Sequence, residues 1–495
     1  MSRVNALLDW LEDKSDWLSP IVVKEVRQTV RGREFHYSFT VSLVVALGVA
    51  FYGAVAAEPG DGTAGAGTFT ALMVCLTLIG MLVVPIGAFS ALRTERLEQT
   101  LDLVTVTALS PRRVVLGKLM AQAVKLVTLF AALAPFMAMS FLLGGIDFVT
   151  ILISLAVLFL SSLWAASIFL FLSTLLKSRA MSGVVFGAAG IAMFLMLTFG
   201  RYAFTPWRIF GGPGLSRADF WWTVAMVVTG CIATTVNFVL LAESRLAVPT
   251  QNTVTSLRVG FLAQFLLIVA WALSYITATS VARYGAAEGL AVLGGLHLAI
   301  VALFAVTDDL TVPRRALAEM RRGSRWDWFL FFVRPGAGRA AAYVLAQMAL
   351  LVLVASWLDT TRDLNDVRWR LALCAYICFF SGFPVYVWRR LRPQRGTPFH
   401  LRIAVLVIVA LVLVMPDVFY YVVGQPEVFN VDFGRRHLLN PFRTLANWNE
   451  VETAGWLFMP ALVGAAGLLS YAGLIRMGRL RPTAERIPAG AVAVD

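Results

Sequence analysis

Residues 149–176 read VTILISLAVLFLSSLWAASIFLFLSTLL, a run of 28 residues without a charged side chain. A helix needs about 20 apolar residues to cross the hydrocarbon core of a bilayer, which is about 30 Å thick. This run therefore predicts a transmembrane helix, and eleven further runs of similar character predict others. The twelve predicted spans are residues 39–57, 69–92, 119–143, 149–176, 183–200, 221–242, 257–279, 286–306, 341–358, 369–388, 401–423 and 456–475.

The composition agrees with an all-α polytopic membrane protein of about 12 transmembrane helices. Of the 495 residues 59% are hydrophobic and only 14% are charged, whereas soluble domains carry about 25% charged residues. This argues against soluble enzymes and nucleic-acid-binding modules, although the net charge is +13. The four cysteines all lie inside apolar runs, so neither a disulfide framework nor a metal site is predicted.

The basic residues lie mostly on one side of the predicted membrane. With the N-terminus inside, 31 of the 42 Lys and Arg residues fall in cytoplasmic segments and 10 in external ones, while Lys125 lies in the third span. Cytoplasmic loops of membrane proteins carry this excess. We therefore expect both termini to be cytoplasmic, in the cytoplasmic (inner) membrane of a bacterium.

A polar stretch, ESRLAVPTQNTVTS (243–256), separates the spans into two groups of six. It is predicted to be a linker between a first half, residues 39–242, and a second half, residues 257–475. Residues 1–38 are expected to be cytoplasmic or interfacial, and residues 476–495 form a cytoplasmic tail.

The segment before the first span, SPIVVKEVRQTVRGREF (19–35), predicts an amphipathic helix that begins at a Ser-Pro pair. Four valines form an apolar stripe, and charged residues lie beside it: Lys24, Glu25, Arg27 and Arg31. A helix of this kind lies in the membrane interface, with its cations toward anionic lipid headgroups. The alternative is a cytoplasmic helix packed on the protein.

The segment between the second and third spans is ALRTERLEQTLDLVTVTALSPRRVVLGKLMAQ, from Ala91, and its part 93–118 is short and densely charged. Glu95 and Glu98 lie one turn apart with Arg96 between them, and Ser110-Pro111 indicates a new helix. A helix, a turn and a second helix predict a rigid cytoplasmic protrusion that transmits a partner's movement to two spans. The alternative is a loop whose cations only set the topology.

These two segments resemble the permeases of type-2 ABC transporters. The family pattern is roughly P-I-x-x-K-E-x-R before the first span, then E-R-x-x-G-T-L-E-x-L-L, T-P-L-S-R and a Gly-Lys pair; Gln99, Asp102 and Ala108 depart from it. The resemblance covers about residues 18–200. It implies an ATPase-coupling region that contains Glu95, Arg96, Glu98, Thr100, Leu101, Ser110, Pro111, Gly117 and Lys118.

The resemblance also implies that ATP is hydrolysed by a separate nucleotide-binding subunit, which would carry the ATP and Mg²⁺, while this chain is not an enzyme and holds no cofactor. The sequence agrees, because it contains no G-x-x-x-x-G-K-[ST] phosphate loop: Arg112 stands where the first glycine before Gly117-Lys118 would be. Gly60 to Gly65 spell G-x-G-x-x-G, but between two spans, where a turn is expected.

Two polar residues at membrane depth are candidate intramembrane sites: His297 in the eighth span and Asp417 beside Pro416 in the eleventh. Ionisable groups in the membrane are costly and mark transport pathways or paired contacts. The alternative for each is an interior group that is simply hydrogen-bonded.

Three functions fit these features. The first is the permease subunit of an ATP-driven exporter, with the pore formed by one chain as a pseudo-dimer or by a homodimer. The second is an ion-coupled secondary transporter, and the third a lipid-linked glycosyltransferase that uses the external loop 424–455. The apolar interior leans toward a hydrophobic or amphipathic substrate. Membrane lipid and the ATPase subunit are the expected partners.

Overall fold

The structure is a computed structural model. It describes residues 20–56, 64–97, 110–144, 146–175, 218–247, 251–278, 283–308, 332–360, 363–391, 398–423, 438–453 and 456–480. Within these ranges the regular structure is helical throughout, without a strand. The chain divides into two compact units, Met1–Ala247 and Val248–Asp495.

Seven helices make up the described part of the first unit: α1 (Pro20–Arg31), α2 (Arg33–Ala56), α3 (Ala64–Leu78), α4 (Val84–Leu97), α5 (Pro111–Leu142), α6 (Phe148–Leu175) and α7 (Ala218–Leu246). A π-helical turn, Ile79–Val83, joins α3 to α4 directly before Pro85. Proline has no N–H to donate to the preceding turn, so Pro85 is accommodated where the turn is wider.

Eight helices make up the described part of the second unit: α8 (Val254–Ala278), α9 (Arg283–Val306), α10 (Ala337–Leu358), α11 (Leu364–Leu391), α12 (Pro398–Val423), α13 (Pro441–Ala446), α14 (Trp448–Thr453) and α15 (Phe458–Leu480). The two short helices, α13 and α14, lie within the predicted external loop 424–455.

Ten helices in the described ranges are long and apolar enough to cross a membrane. They are α2, the continuous α3–α4, α5 to α11 and α15. The chain is therefore an integral, multi-pass membrane protein. Helix α12 coincides with the predicted span 401–423, and the predicted span 183–200 lies outside the described residues. The total of twelve spans and the cytoplasmic position of both ends stay predictions.

The outer face of α2 illustrates the membrane assignment. Val41, Val44, Leu47, Phe51 and Val55 are all exposed on this helix. Exposure of such a row of apolar side chains to water is unfavourable, whereas contact with lipid tails is not. The face is thus suited to contact with the bilayer.

Helices α7 and α8 extend beyond the apolar runs from which their spans were predicted. Helix α7 continues to Leu246 and α8 begins at Val254. The segment between them is therefore shorter than the predicted linker 243–256. Hydropathy locates the edge of the apolar run, but a helix continues through polar residues as long as its backbone hydrogen bonds are made.

The ends of α5 and α6 meet at a tight turn. Gly144 has a φ of +83°, the left-handed conformation that follows many helix C-termini and that glycine adopts without strain. Thr150 donates from its backbone and its hydroxyl to the Asp147 carboxylate, at 2.9 and 2.6 Å. Partial burial by itself raises the pKa of Asp147, but these hydrogen bonds outweigh it and the pKa lies below its usual value.

In the second unit α11 and α15 pack closely through glycines. A side-chain carbon on Gly467 would lie 2.8 Å from the backbone nitrogen of Phe379, and one on Gly464 would lie 3.0 Å from the Cβ of Ala375. Small residues let transmembrane helices approach until their backbones touch, which provides dispersion contacts that lipid cannot replace.

We expect Gly65→Ala to destabilise the first unit and Gly67→Ala to stabilise it. A methyl group on Gly65 would lie 1.9 Å from the carbonyl oxygen of Gly144 and 2.4 Å from that of Ser140, whereas nothing lies within 4 Å of one on Gly67. Overpacking costs about 1–3 kcal/mol, and alanine in an open helical position gains about 0.5–1 kcal/mol over glycine. Thermal unfolding of the two purified variants measures both effects, and equal midpoints would contradict this packing.

Candidate functional site

The two charged segments singled out by the sequence meet in the structure. Helix α1 packs against α5, and the Lys118 ammonium on α5 lies 3.2 Å from both carboxylate oxygens of Glu25 on α1. The same ammonium lies 2.9 Å from Oε1 of Glu95, near the end of α4. Lys24 approaches that Glu95 oxygen to 4.0 Å. We call Lys24, Glu25, Glu95 and Lys118 the ion-pair cluster.

Burial and charge are balanced in the ion-pair cluster. The Lys118 side chain is 1% exposed, Glu25 7% and Glu95 16%, while Lys24 is 65% exposed. Two lysines and two glutamates give a formal net charge of zero. An ammonium has three N–H donors, and three carboxylate oxygens of Glu25 and Glu95 surround that of Lys118. A buried charge is tolerated when it is paired and hydrogen-bonded in this way.

The remaining charges of α1 face away from this contact. Arg27 and Arg31 are exposed, as is Lys24, while the valines of the apolar stripe are partly buried. Helix α1 therefore packs on the protein through Glu25 and the valines. This agrees with the alternative of a packed helix, and whether its basic face also contacts lipid stays a prediction.

The Ser-Pro pair marks a helix start, as predicted. Pro111 is the first residue of α5, and Ser110 precedes it in an extended conformation, with its carbonyl accepting from the Arg113 N–H at 2.9 Å. The Ser110 hydroxyl makes no capping hydrogen bond. Seven residues into α5, Gly117 and Lys118 are both buried, so the Gly-Lys pair lies inside the packed helix and not in a loop.

The position of Glu95 changes how its predicted role can be tested. Its carboxylate pairs with Lys118 in the same chain, so a change of its charge would disturb the packing of α1, α4 and α5. Glu98, Thr100 and Leu101 lie outside the described residues, as does the side chain of Arg96. Contact of these residues with an ATPase subunit stays a prediction.

His297 lies in the interior of the second unit. It is 6% exposed on α9, and its ring is 6.1 Å from that of Phe261 and 6.0 Å from that of Phe265, both on α8. Its Nε2 has no hydrogen-bond partner among the described residues. Asp417 belongs to α12, but its side chain lies outside the described part of the structure.

Three arginines that sequence reasoning assigned only to topology surround the end of α9. Arg258, 2% exposed, donates to the Asp308 carboxylate at 3.3 Å and to the Arg334 carbonyl at 2.5 Å. Arg389 donates to the Asp308 carbonyl, and Arg402 donates to the hydroxyl of Thr307 at 2.9 Å and to the carbonyl of Phe304 at 3.3 Å. The last carbonyls of a helix have no partner within the helix and attract cations. Arg389 and Arg402 therefore have a structural role at the end of α9, while Arg258 connects α8 to the Asp308 carboxylate and to the carbonyls directly before α10.

A second buried ion pair lies at the opposite end of α10. Asp359, directly after that helix, accepts from Arg370 of α11 at 2.8 Å, and both side chains are at most 3% exposed. Nearby, Trp369 donates to the carbonyl of Leu445 at 2.9 Å, which attaches α13 to α11.

No known protein family, curated protein or solved structure matches the chain. Within the described residues no group of three His, Cys, Asp or Glu side chains could hold a metal ion.

We expect Lys118→Met to lower the stability of the protein strongly. It leaves the carboxylates of Glu25 and Glu95 close together without their common cation, and removal of one partner from a buried ion pair costs about 3 kcal/mol or more. Thermal unfolding of the purified chain in detergent measures the loss.

Two controls accompany this experiment. Lys24→Ala removes an exposed cation and should change stability by no more than about 0.5 kcal/mol. Glu25→Gln, added to Lys118→Met, should recover part of the loss because it removes one of the stranded charges. If Lys118→Met unfolds at the same temperature as the unchanged protein, the ion-pair cluster does not hold α1 in place.

Proposed function

We propose that this chain is the permease subunit of an ATP-driven exporter of the type-2 ABC class, coupled to a separate ATPase subunit. The observation that carries the proposal is the ion-pair cluster. Three of the sequence blocks that resemble the family supply Glu25, Glu95 and Lys118, one from each, and the Lys118 ammonium pairs with both carboxylates. Independent loops that only set topology would have no reason to converge in this way.

The cluster gives the proposal a mechanism. Residues 98–109 connect α4 to α5, so an ATPase that moves this segment moves the ends of both helices. Because Lys118 also holds Glu25, helix α1 moves with them. Closure of two ATPase subunits around ATP would thereby tilt three helices of the unit together and alternate access to a path along them.

The buried carboxylates also favour this function over ion-coupled transport. In the described residues they belong to Glu25 and Asp359, and each is paired with a buried cation, Lys118 or Arg370. A carboxylate held in this way is a poor carrier of protons or sodium ions, because releasing it from its partner leaves a buried charge unpaired.

We expect α1 to be cytoplasmic and α13 to be external. In cells that produce the variants Arg31→Cys and Ala446→Cys, both at exposed positions, a membrane-impermeant maleimide should label Ala446→Cys in intact cells. It should label Arg31→Cys only after permeabilisation, because cationic segments stay on the cytoplasmic side. The reverse pattern would invert the topology and place residues 98–109 out of reach of ATP.

We expect Glu98→Lys to abolish co-purification of an ATPase subunit while the permease folds normally. Glu98 is the better choice because the variant leaves Glu95 free to hold Lys118. The measurement is isolation of the tagged chain from its native membranes in mild detergent. It is followed by identification of a stoichiometric partner with a G-x-x-x-x-G-K-[ST] loop and by an ATPase assay.

The matched control is Glu288→Lys, an equal change of charge at an exposed position near the predicted external end of the span 286–306. It should leave the partner bound. An unchanged protein that carries no ATPase would refute the proposed function, and equal partner yields from Glu98→Lys and Glu288→Lys would refute the role of Glu98.

A further inference from the structure

A polar stripe continues from the ion-pair cluster into the helix bundle along α5. Lys118, Gln122 and Lys125 are spaced by four and three residues, so they lie on one face of the helix. At 1.5 Å per residue Lys125 lies about 10 Å further along α5 than Lys118. This places it within the predicted third span, 119–143.

The side chains of Gln122 and Lys125 approach the same position on α4. Lys125 is 2% exposed and Gln122 3%. A side-chain carbon on Gly87 of α4 would lie 3.6 Å from Oε1 of Gln122 and 3.7 Å from Nζ of Lys125. An ammonium and an amide oxygen thus converge on a position of α4 that has no side chain.

Neither group is matched by the described residues. Oε1 of Gln122 accepts no hydrogen bond there, and Lys125 makes no hydrogen bond or ion pair with them. The carboxylate that acts on Lys125 electrostatically is that of Glu34, an exposed residue at the start of α2. Lys118, on the same face of α5, is instead paired with two carboxylates, those of Glu25 and Glu95.

An unpaired cation inside a membrane protein is costly, and such residues mark the path of a substrate or ion. An anion would relieve this cost by pairing with the ammonium. The amide of Gln122 could then turn its NH₂ group toward the anion, since its two ends differ only in donor and acceptor character. Beyond Lys125 the same face continues with Leu129 and Leu133, both fully buried, so a polar segment is followed by an apolar one.

We infer that Lys125 and Gln122, at Gly87, bind the anionic headgroup of an amphiphile, a carboxylate or a phosphate. The inference rests on the proposed function and deepens it, because it names the chemical class of the cargo. The headgroup could belong to a single-chain amphiphile or to a phospholipid of the bilayer, since both present an anion attached to an apolar tail.

The test uses the full chain in dodecyl maltoside and the fluorescent probe 11-(dansylamino)undecanoic acid, with its methyl ester as the uncharged probe. The acid should bind the unchanged chain more tightly than the ester. Lys125→Met should weaken binding of the acid about tenfold or more and leave the ester unaffected, because a charge-assisted hydrogen bond is lost. Lys125→Arg should retain binding of the acid.

The matched control is Lys24→Met, which removes the same charge from an exposed position and should bind both probes normally. Lys125→Met should unfold at or above the temperature of the unchanged chain, since it removes an unpaired buried charge. If Lys125 instead served to pair with Glu34, Lys125→Met and Glu34→Gln would destabilise the protein alike and acid binding would not depend on Lys125. That result would overturn the inference.

Gln122→Leu keeps the test decisive if Lys125→Met does not fold. This variant leaves the Lys125 ammonium in place. It should weaken binding of the acid several-fold without changing binding of the ester. Unchanged binding of the acid by every folded variant of Lys125 and Gln122 would overturn the inference, as would equal weakening of acid and ester.

Competition identifies the source of the headgroup. Displacement of the acid by decanoate and decyl phosphate, but not by dioctanoyl phosphatidylglycerol, would support a single-chain amphiphile, and displacement by all three would support a phospholipid. None of these measurements requires an ATPase. A chain that binds the acid through Lys125 but carries no ATPase subunit would therefore refute the proposed function and leave the anion site established.

Discussion

A lysine within a helix bundle can stay charged only if other polar groups replace the water around its ammonium. At one end of the first unit, the packing of three helices meets this requirement for Lys118. Lys118 is buried on α5, so its ammonium depends on carboxylates from other elements. Glu25 reaches it from α1 and Glu95 from α4, and together they satisfy its three donors. The positions of three helices thereby depend on one ammonium group, and removal of any partner leaves a buried charge behind.

The second unit also contains a buried cation, and the cost of burying it is offset by different groups. Arg258 is as deeply buried as Lys118, yet most of its partners are backbone carbonyls, and Arg389 and Arg402 also donate to the end of α9. A helix C-terminus carries a partial negative charge that side-chain carboxylates need not supply. In the first unit the side-chain pairs join α1, α4 and α5, and in the second unit the arginines join α8, α11 and α12 to the end of α9.

Most of the fold follows from hydropathy alone, because an apolar run of about 20 residues in a bilayer has few alternatives to a helix. Hydropathy did not predict the ends of the helices. Helices α7 and α8, for example, extend into the polar stretch 243–256. The Ser110-Pro111 pair did mark the start of α5, since proline is favourable in a first turn.

The charged site could be predicted only as separate pieces. Glu25, Glu95 and Lys118 were each recognisable in the sequence, but the separations of 93 and 23 residues between Lys118 and its two partners carry no information about contact. The predicted contact of Glu95 with a partner subunit therefore did not include its pairing with Lys118 in the same chain. In the sequence Lys125 is only a charge inside a span, and no sequence pattern indicates that it makes no ion pair within the described structure.

The distance along the chain between Glu25 and Lys118 has a consequence for biogenesis. Glu25 leaves the ribosome 93 residues before Lys118, which at 5–20 residues per second is about 5–19 s. During that interval the Glu25 carboxylate lacks its partner Lys118. Its contact can form only after α5 has been made, so the docking of α1 depends on the synthesis of all four helices that follow it.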